Sequence, residues 1–189
     1  TRRLYLAPFS LSETAEFLSD RGVEWTKHQI AECYMVLGGT PYYLDMIDKS
    51  LGLPANVDKL FFEEGAELSK EYDILFRSLF KDAGIYRRIV EQLAKKSMGM
   101  TREQLAAAVK MSAGGKFSEA LDNLVSCDFL RRYNAFGCNV KAAIYQLTDL
   151  YTLFYLHWVK DNAEHNSTQW SNSIDSPRHR AWSGYAFEQ

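Results

Sequence analysis

No apolar run in the 189 residues approaches the ~20 residues that a membrane-spanning helix needs. Nor does a charged-then-apolar leader pattern open the sequence. Cysteine is scarce: Cys33, Cys127 and Cys138 lie far apart and are odd in number. This argues against a disulfide framework and for reduced thiols in a cytoplasmic setting. No Cys-x-x-Cys pair occurs, and His28, His157, His165 and His179 lack short ligand spacings, so no metal site is expected. His157 sits among aromatics and reads as a packed helix residue, whereas His165 and His179 fall in a polar stretch.

A phosphate-binding loop is also missing. Gly115-Lys116 resembles the end of one, but the pattern needs a glycine five positions earlier and Ser or Thr after the lysine. Those positions are Lys110 and Phe117, so neither the backbone nest nor the magnesium-binding hydroxyl is present. No catalytic residues are expected within the chain.

What is present is an ordinary globular composition, 47% hydrophobic and 24% charged, with a charge asymmetry beneath the net −2. Residues 1–82 carry nine Lys/Arg and fourteen Asp/Glu, residues 83–141 ten and five, and residues 142–189 three and five. The change of sign near residue 82 marks a domain boundary, and the basic middle segment is suited to a polyanion.

Along the chain, "RRLYLAPF" reads as a strand end stopped by Pro8. Ser10/Glu13 and Thr26/Gln29 are capping-box pairs for two helices, the first closed by Gly22 and the second ending near Leu37. A helix is expected from Pro41 to about Lys49, and, after Asn56 as N-cap, two more helical pieces that run to about Lys81. Leu68, Tyr72, Leu75, Phe76, Leu79 and Phe80 recur at helical spacing and read as a buried stripe. Beyond residue 83, one helix carries Ile85, Ile89 and Leu93. Thr101 caps a second, and a third bears Phe117, Leu121, Leu124 and Val125. "DFLRRY" and "AAIYQL", separated by "NAFGCNVK", then read as a β-hairpin. Three helices and a hairpin are the winged-helix arrangement. The fold expected is therefore mainly α: a helical bundle over 1–82, a winged-helix domain with a small β-hairpin over 83–160, and a polar linker from 161. The third of these helices would carry Lys116 beside Glu119 and Asp122, with Arg131 and Arg132 near the wing. These three cations are the candidate nucleic-acid contacts, opposed by the two carboxylates.

"VLGGTPYYL" (residues 36–44) interrupts the helical pattern. Gly38-Gly39 suits a helix C-terminus, Thr40 an N-cap and Pro41 a first helical position, so the stretch reads as a rigid corner. Here the chain resembles a known family. "L-x-PF-x-L-x-E" (Leu6, Pro8, Phe9, Leu11, Glu13), "E-x-Y-M-x-x-GG-x-P-x-YL" (Glu32, Tyr34, Gly38, Gly39, Pro41, Leu44), "EYDILFRSLF" and "Y-x-L-x-D-x-Y-x-x-F-Y" (Tyr145, Asp149, Tyr155) occur in order. Together they are similar to the C-terminal half of the archaeal-type ATPases of the AAA+/STAND group, which bacteria also carry. The resemblance implies a helical lid and winged helix that follow a P-loop ATPase core, with ATP and magnesium held by that core. It implies that Gly39, Pro41 and Tyr42 contact the nucleotide from the lid. Gly184, Phe187 and Glu188 are similar to the "G-x-x-FE" that opens a restriction-endonuclease-like domain. The ends are accordingly expected to be cuts. The core and the nuclease-like domain of the same chain would be its partners, and an exposed apolar face on residues 1–60 would favour self-association. The alternative is a DNA-binding winged-helix module.

Overall fold

The computed structural model describes residues 6–134, 143–162 and 166–189. Among these the protein is mainly helical, with one small three-stranded antiparallel sheet. The chain divides into two compact units, residues 1–69 with 162–188, and residues 70–161. Residue 82, where the charge balance changes, lies between two helices of the second unit. No helix among the described residues is long and apolar enough to cross a membrane.

In the first unit α1 (Leu11–Asp20) and α2 (Lys27–Leu37) both begin with the capping boxes that the sequence implies, Ser10/Glu13 and Thr26/Gln29. Residues 1–5 of the expected strand lie outside the described residues, and residues 6–10 have no regular structure. The helix after Pro41 is short: α3 (Pro41–Asp45) stops well before Lys49. Asn56 is not an N-cap. Gly52 takes that position for α4 (Leu53–Phe61), with Pro54 in the first turn, where its missing N–H costs nothing. Asn56 lies fully buried inside α4 and ties down the preceding loop: Asp48 N–H donates to its carbonyl oxygen at 2.8 Å, and its amide donates to the Asp48 carbonyl at 3.0 Å.

The polar stretch 161–181 is not merely a linker. A 3-10 turn at Ser171–Ser173 leads to α10 (Pro177–Phe187), and Trp170, His179, Trp182 and Ala186 are buried within the first unit. Buried Asp58 of α4 holds this segment. Its carboxylate accepts from Trp170 N–H (2.8 Å), Ser171 N–H (3.1 Å) and the Ser171 hydroxyl. Buried Glu32 of α2 meets His179 Nε2 at 2.9 Å, and Trp170 stands edge-on to both His179 and Trp182.

The second unit holds most of α5 (Leu68–Leu79), then α6 (Ala83–Leu93), β1 (Met100–Thr101), α7 (Arg102–Ala108), α8 (Gly115–Ser126), β2 (Leu130–Asn134), β3 (Ala143–Leu147) and α9 (Leu150–Phe154). The anticipated stripes are buried at Leu68, Tyr72, Phe76 and Phe80, at Ile85, Ile89 and Leu93, and at Phe117, Leu121 and Leu124; Leu79 is half-exposed. Thr101 caps α7 in a box with Gln104. β2 and β3 pair antiparallel, with Leu130 opposite Leu147 and Asn134 opposite Ala143. The expected turn between them falls on residues 135–142, outside the described residues. The two-residue β1, which its length hides from any periodicity argument, adds to β3 and gives the order β1-β3-β2. The last aromatic helix is α for only five residues. It then widens to a π-helical turn at Tyr155–Val159, where the His157 ring lies 3.0 Å from the Ala94 carbonyl.

Candidate functional site: the Gly38–Tyr42 corner

Each residue of the corner has a separate physical task. Gly38 ends α2 at φ 65° and ψ −163°, a conformation open in practice only to glycine, and donates its N–H to the Tyr34 carbonyl at 2.8 Å. Gly39 is buried beneath the segment that precedes α1. Its carbonyl accepts from Phe9 N–H at 2.8 Å, and Tyr34 Oη donates to the Phe9 carbonyl at 3.1 Å. A Cβ on Gly39 would stand 1.9 Å from the Phe9 carbonyl oxygen, so the two backbones touch only because no side chain intervenes. Thr40 occupies the N-cap of α3 without a side-chain cap bond, and Pro41 follows at the first turn. Tyr43 and Leu44 anchor α3 in the core, whereas Pro41 is exposed and Tyr42 is 64% exposed.

Of the three lid residues implied by the resemblance, the structure places Pro41 and Tyr42 at the surface and Gly39 buried against the Phe9 backbone. The surface they form is apolar and carries no charge. It can pack against a flat apolar or aromatic group, and it presents no cation to a phosphate and no carboxylate to a magnesium ion. Leu6, at 80% exposure, and Leu11, at 45%, are further exposed apolar residues of the same unit. No group of three His, Cys, Asp or Glu side chains among the described residues is placed to hold a metal ion.

The candidate nucleic-acid residues lie in the second unit and are all exposed: Lys116 in the first turn of α8, Arg131 and Arg132 on β2. Two of them are engaged locally. Arg131 Nε donates to Gln146 Oε1 at 2.9 Å, and Arg132 lies 3.7 Å from Asp122 of α8. One of the two carboxylates expected to oppose phosphate on α8, Asp122, is thus the partner of one of the cations.

The features that sequence reasoning missed join distant positions. The carboxylate of Asp58 caps backbone more than a hundred residues away, and Glu32 meets His179 at similar separation. Glu32 carried a signal, since a lone acid stood on the buried side of a helix, but nothing local named its partner. Of the cysteines, Cys33 is buried and its thiol is pushed up to about 12, by desolvation first and by the neighbouring Glu32 carboxylate second; Cys127 is exposed, and Cys138 lies outside the described residues. No family model, curated protein or solved structure matches this chain.

Proposed function

We infer that the chain is the lid and winged-helix region of an AAA+/STAND-type ATPase. In this reading residues 36–44 cover a nucleotide held by a P-loop core encoded upstream. The observation that carries the reading is the corner itself. Gly38 and Gly39 spend their freedom on seating the corner against Phe9, and what they present outward is Pro41 and Tyr42, rigid and uncharged. Pro41 and Tyr42 would contact the base, with Gly39 as the positioning residue that seats the corner on Phe9. ATP and magnesium would be gripped by the core, because the 189 residues supply no phosphate cradle. A stiff corner of this kind passes the presence of a nucleotide to the helices behind it as a lever. In the second unit, α6, α7 and α8 followed by the β2–β3 pair, with β1 between α6 and α7 completing the sheet, support the winged-helix reading. That module would relay the nucleotide state to a partner or to a C-terminal nuclease-like domain.

The alternative, a DNA-binding winged-helix module, is favoured by the exposure of Lys116, Arg131 and Arg132 and weighed down by the local engagement of the two arginines. One set of titrations on the 189-residue chain separates the two, with a fluorescent ATP analogue plus magnesium and with labelled duplex DNA at several salt concentrations. The lid reading predicts background signal for both. Salt-dependent DNA binding would transfer the assignment to the alternative, and ATP hydrolysis that survives purification would overturn the lid reading.

A further inference from the structure

A cleft of about 460 Å³ opens in the second unit at the start of α6, within the roughly 300–1,000 Å³ span of small-molecule sites. Its wall carries three cations and three carboxylates, and four of these six charges are already neutralised. Arg87 pairs with Asp73, and Lys160 pairs with Glu91 at 2.8 Å. These closed pairs stitch α6 to α5 and to the π-helical turn, and they give the wall no excess of either sign. That balance disfavours a polyanion such as a nucleotide.

Two charges of opposite sign remain open. Asp82 precedes α6 as its N-cap residue, yet its carboxylate makes no cap hydrogen bond and no ion pair with a described residue. Arg88, six residues further along, has no carboxylate partner among the described residues and meets the Met111 sulfur at 3.4 Å. The third open group is Tyr72. Its ring stacks on Tyr155 at 4.5 Å and 9°, and its hydroxyl is buried without a hydrogen-bond partner among the described residues. Burial, and then the Glu91 carboxylate, raises the phenol above its ordinary value, so it stays a neutral donor. A buried donor left unpaired is costly, and the charges acting on it, Glu91, Arg87 and Asp73, all belong to the cleft. The remainder of the wall, the Tyr155 ring, Ile85 and Gly84, carries no charge, and Tyr155 sits on the π-helical turn, a distortion common at binding sites.

We propose that this cleft binds a free α-amino acid with an apolar side chain, its carboxylate on Arg88 and Tyr72 and its ammonium on Asp82. The wall then receives one charge of each sign, matched to the two it leaves open, and the side chain lies against Tyr155 and Ile85.

Isothermal titration of the 189-residue chain with proteinogenic L-amino acids, one at a time, tests this. Each is paired with its decarboxylated amine and its N-acetyl derivative. At least one apolar amino acid is expected to bind in the micromolar-to-millimolar range, with both analogues weaker by about tenfold or more, the loss of one charge-assisted hydrogen bond. Arg88→Ala and Asp82→Ala, both at exposed positions, are expected to weaken binding by about the same factor while circular dichroism stays unchanged. Tyr72→Phe keeps the ring stack and removes only the unpaired hydroxyl, so it should weaken binding without lowering stability. Absence of binding by every amino acid overturns the proposal, as does an amine or N-acetyl derivative that binds as tightly as its parent. Unchanged affinity in Arg88→Ala and Asp82→Ala overturns it as well.

Discussion

At the scale of single residues, the corner shows how two adjacent glycines fulfil different requirements. Gly38 is needed for its backbone conformation and Gly39 for the space its missing side chain leaves to Phe9. Gly39→Ala is therefore expected to destabilise the protein by about 3 kcal/mol, the upper part of the range for forcing an atom into packed backbone. Gly115→Ala, where a Cβ meets nothing within 4 Å, should be neutral or slightly stabilising. Urea denaturation of the two variants makes the comparison; equal stabilities would show that the Phe9 approach relaxes at no cost. This corner was legible in the sequence because glycine and proline have few physical uses at a helix junction. Asn56 was not. An asparagine before an apolar run reads as an N-cap, and only the folded chain shows that the Asp48–Gly52 backbone takes its amide instead.

At the scale of elements, the capping boxes at Ser10 and Thr26 and the cap at Thr101 were legible because both halves of each interaction lie within four residues. The apolar stripes of α5, α6 and α8 were legible through their period. α10 was hidden for the opposite reason. Its buried residues are only His179, Trp182 and Ala186, so it has no broad apolar face; Glu32 of α2 meets it at His179, and Asp58 of α4 holds the segment just before it at Trp170 and Ser171. Asp58 carries a large part of that attachment. Asp58→Ala leaves the N–H groups of Trp170 and Ser171 without their acceptor, at a cost of roughly 1–3 kcal/mol each. Amide hydrogen exchange is expected to accelerate across residues 170–187, with the amides of α6 and α8 unchanged. Unaltered exchange in α10 would show that the tryptophans alone dock this segment. The short α3 and the π-helical turn were illegible at this scale too, since both depart from a helical pattern that the sequence continues through them.

At the scale of the whole molecule, the mainly helical class followed from composition and period. The assignment of residues 162–188 to the first unit did not, because it depends on contacts across more than a hundred residues. The functional reading has the same structure. On the proposed reading, the uncharged corner covers a nucleotide whose phosphates would be held by a P-loop core, since the 189 residues contain no such loop. Sequencing the gene upstream of the codon for Thr1 tests this most directly. The account predicts an uninterrupted frame that encodes Gly-x-x-x-x-Gly-Lys-Ser/Thr ahead of that codon. A start or stop immediately before it, or a long frame without that loop, would contradict the account.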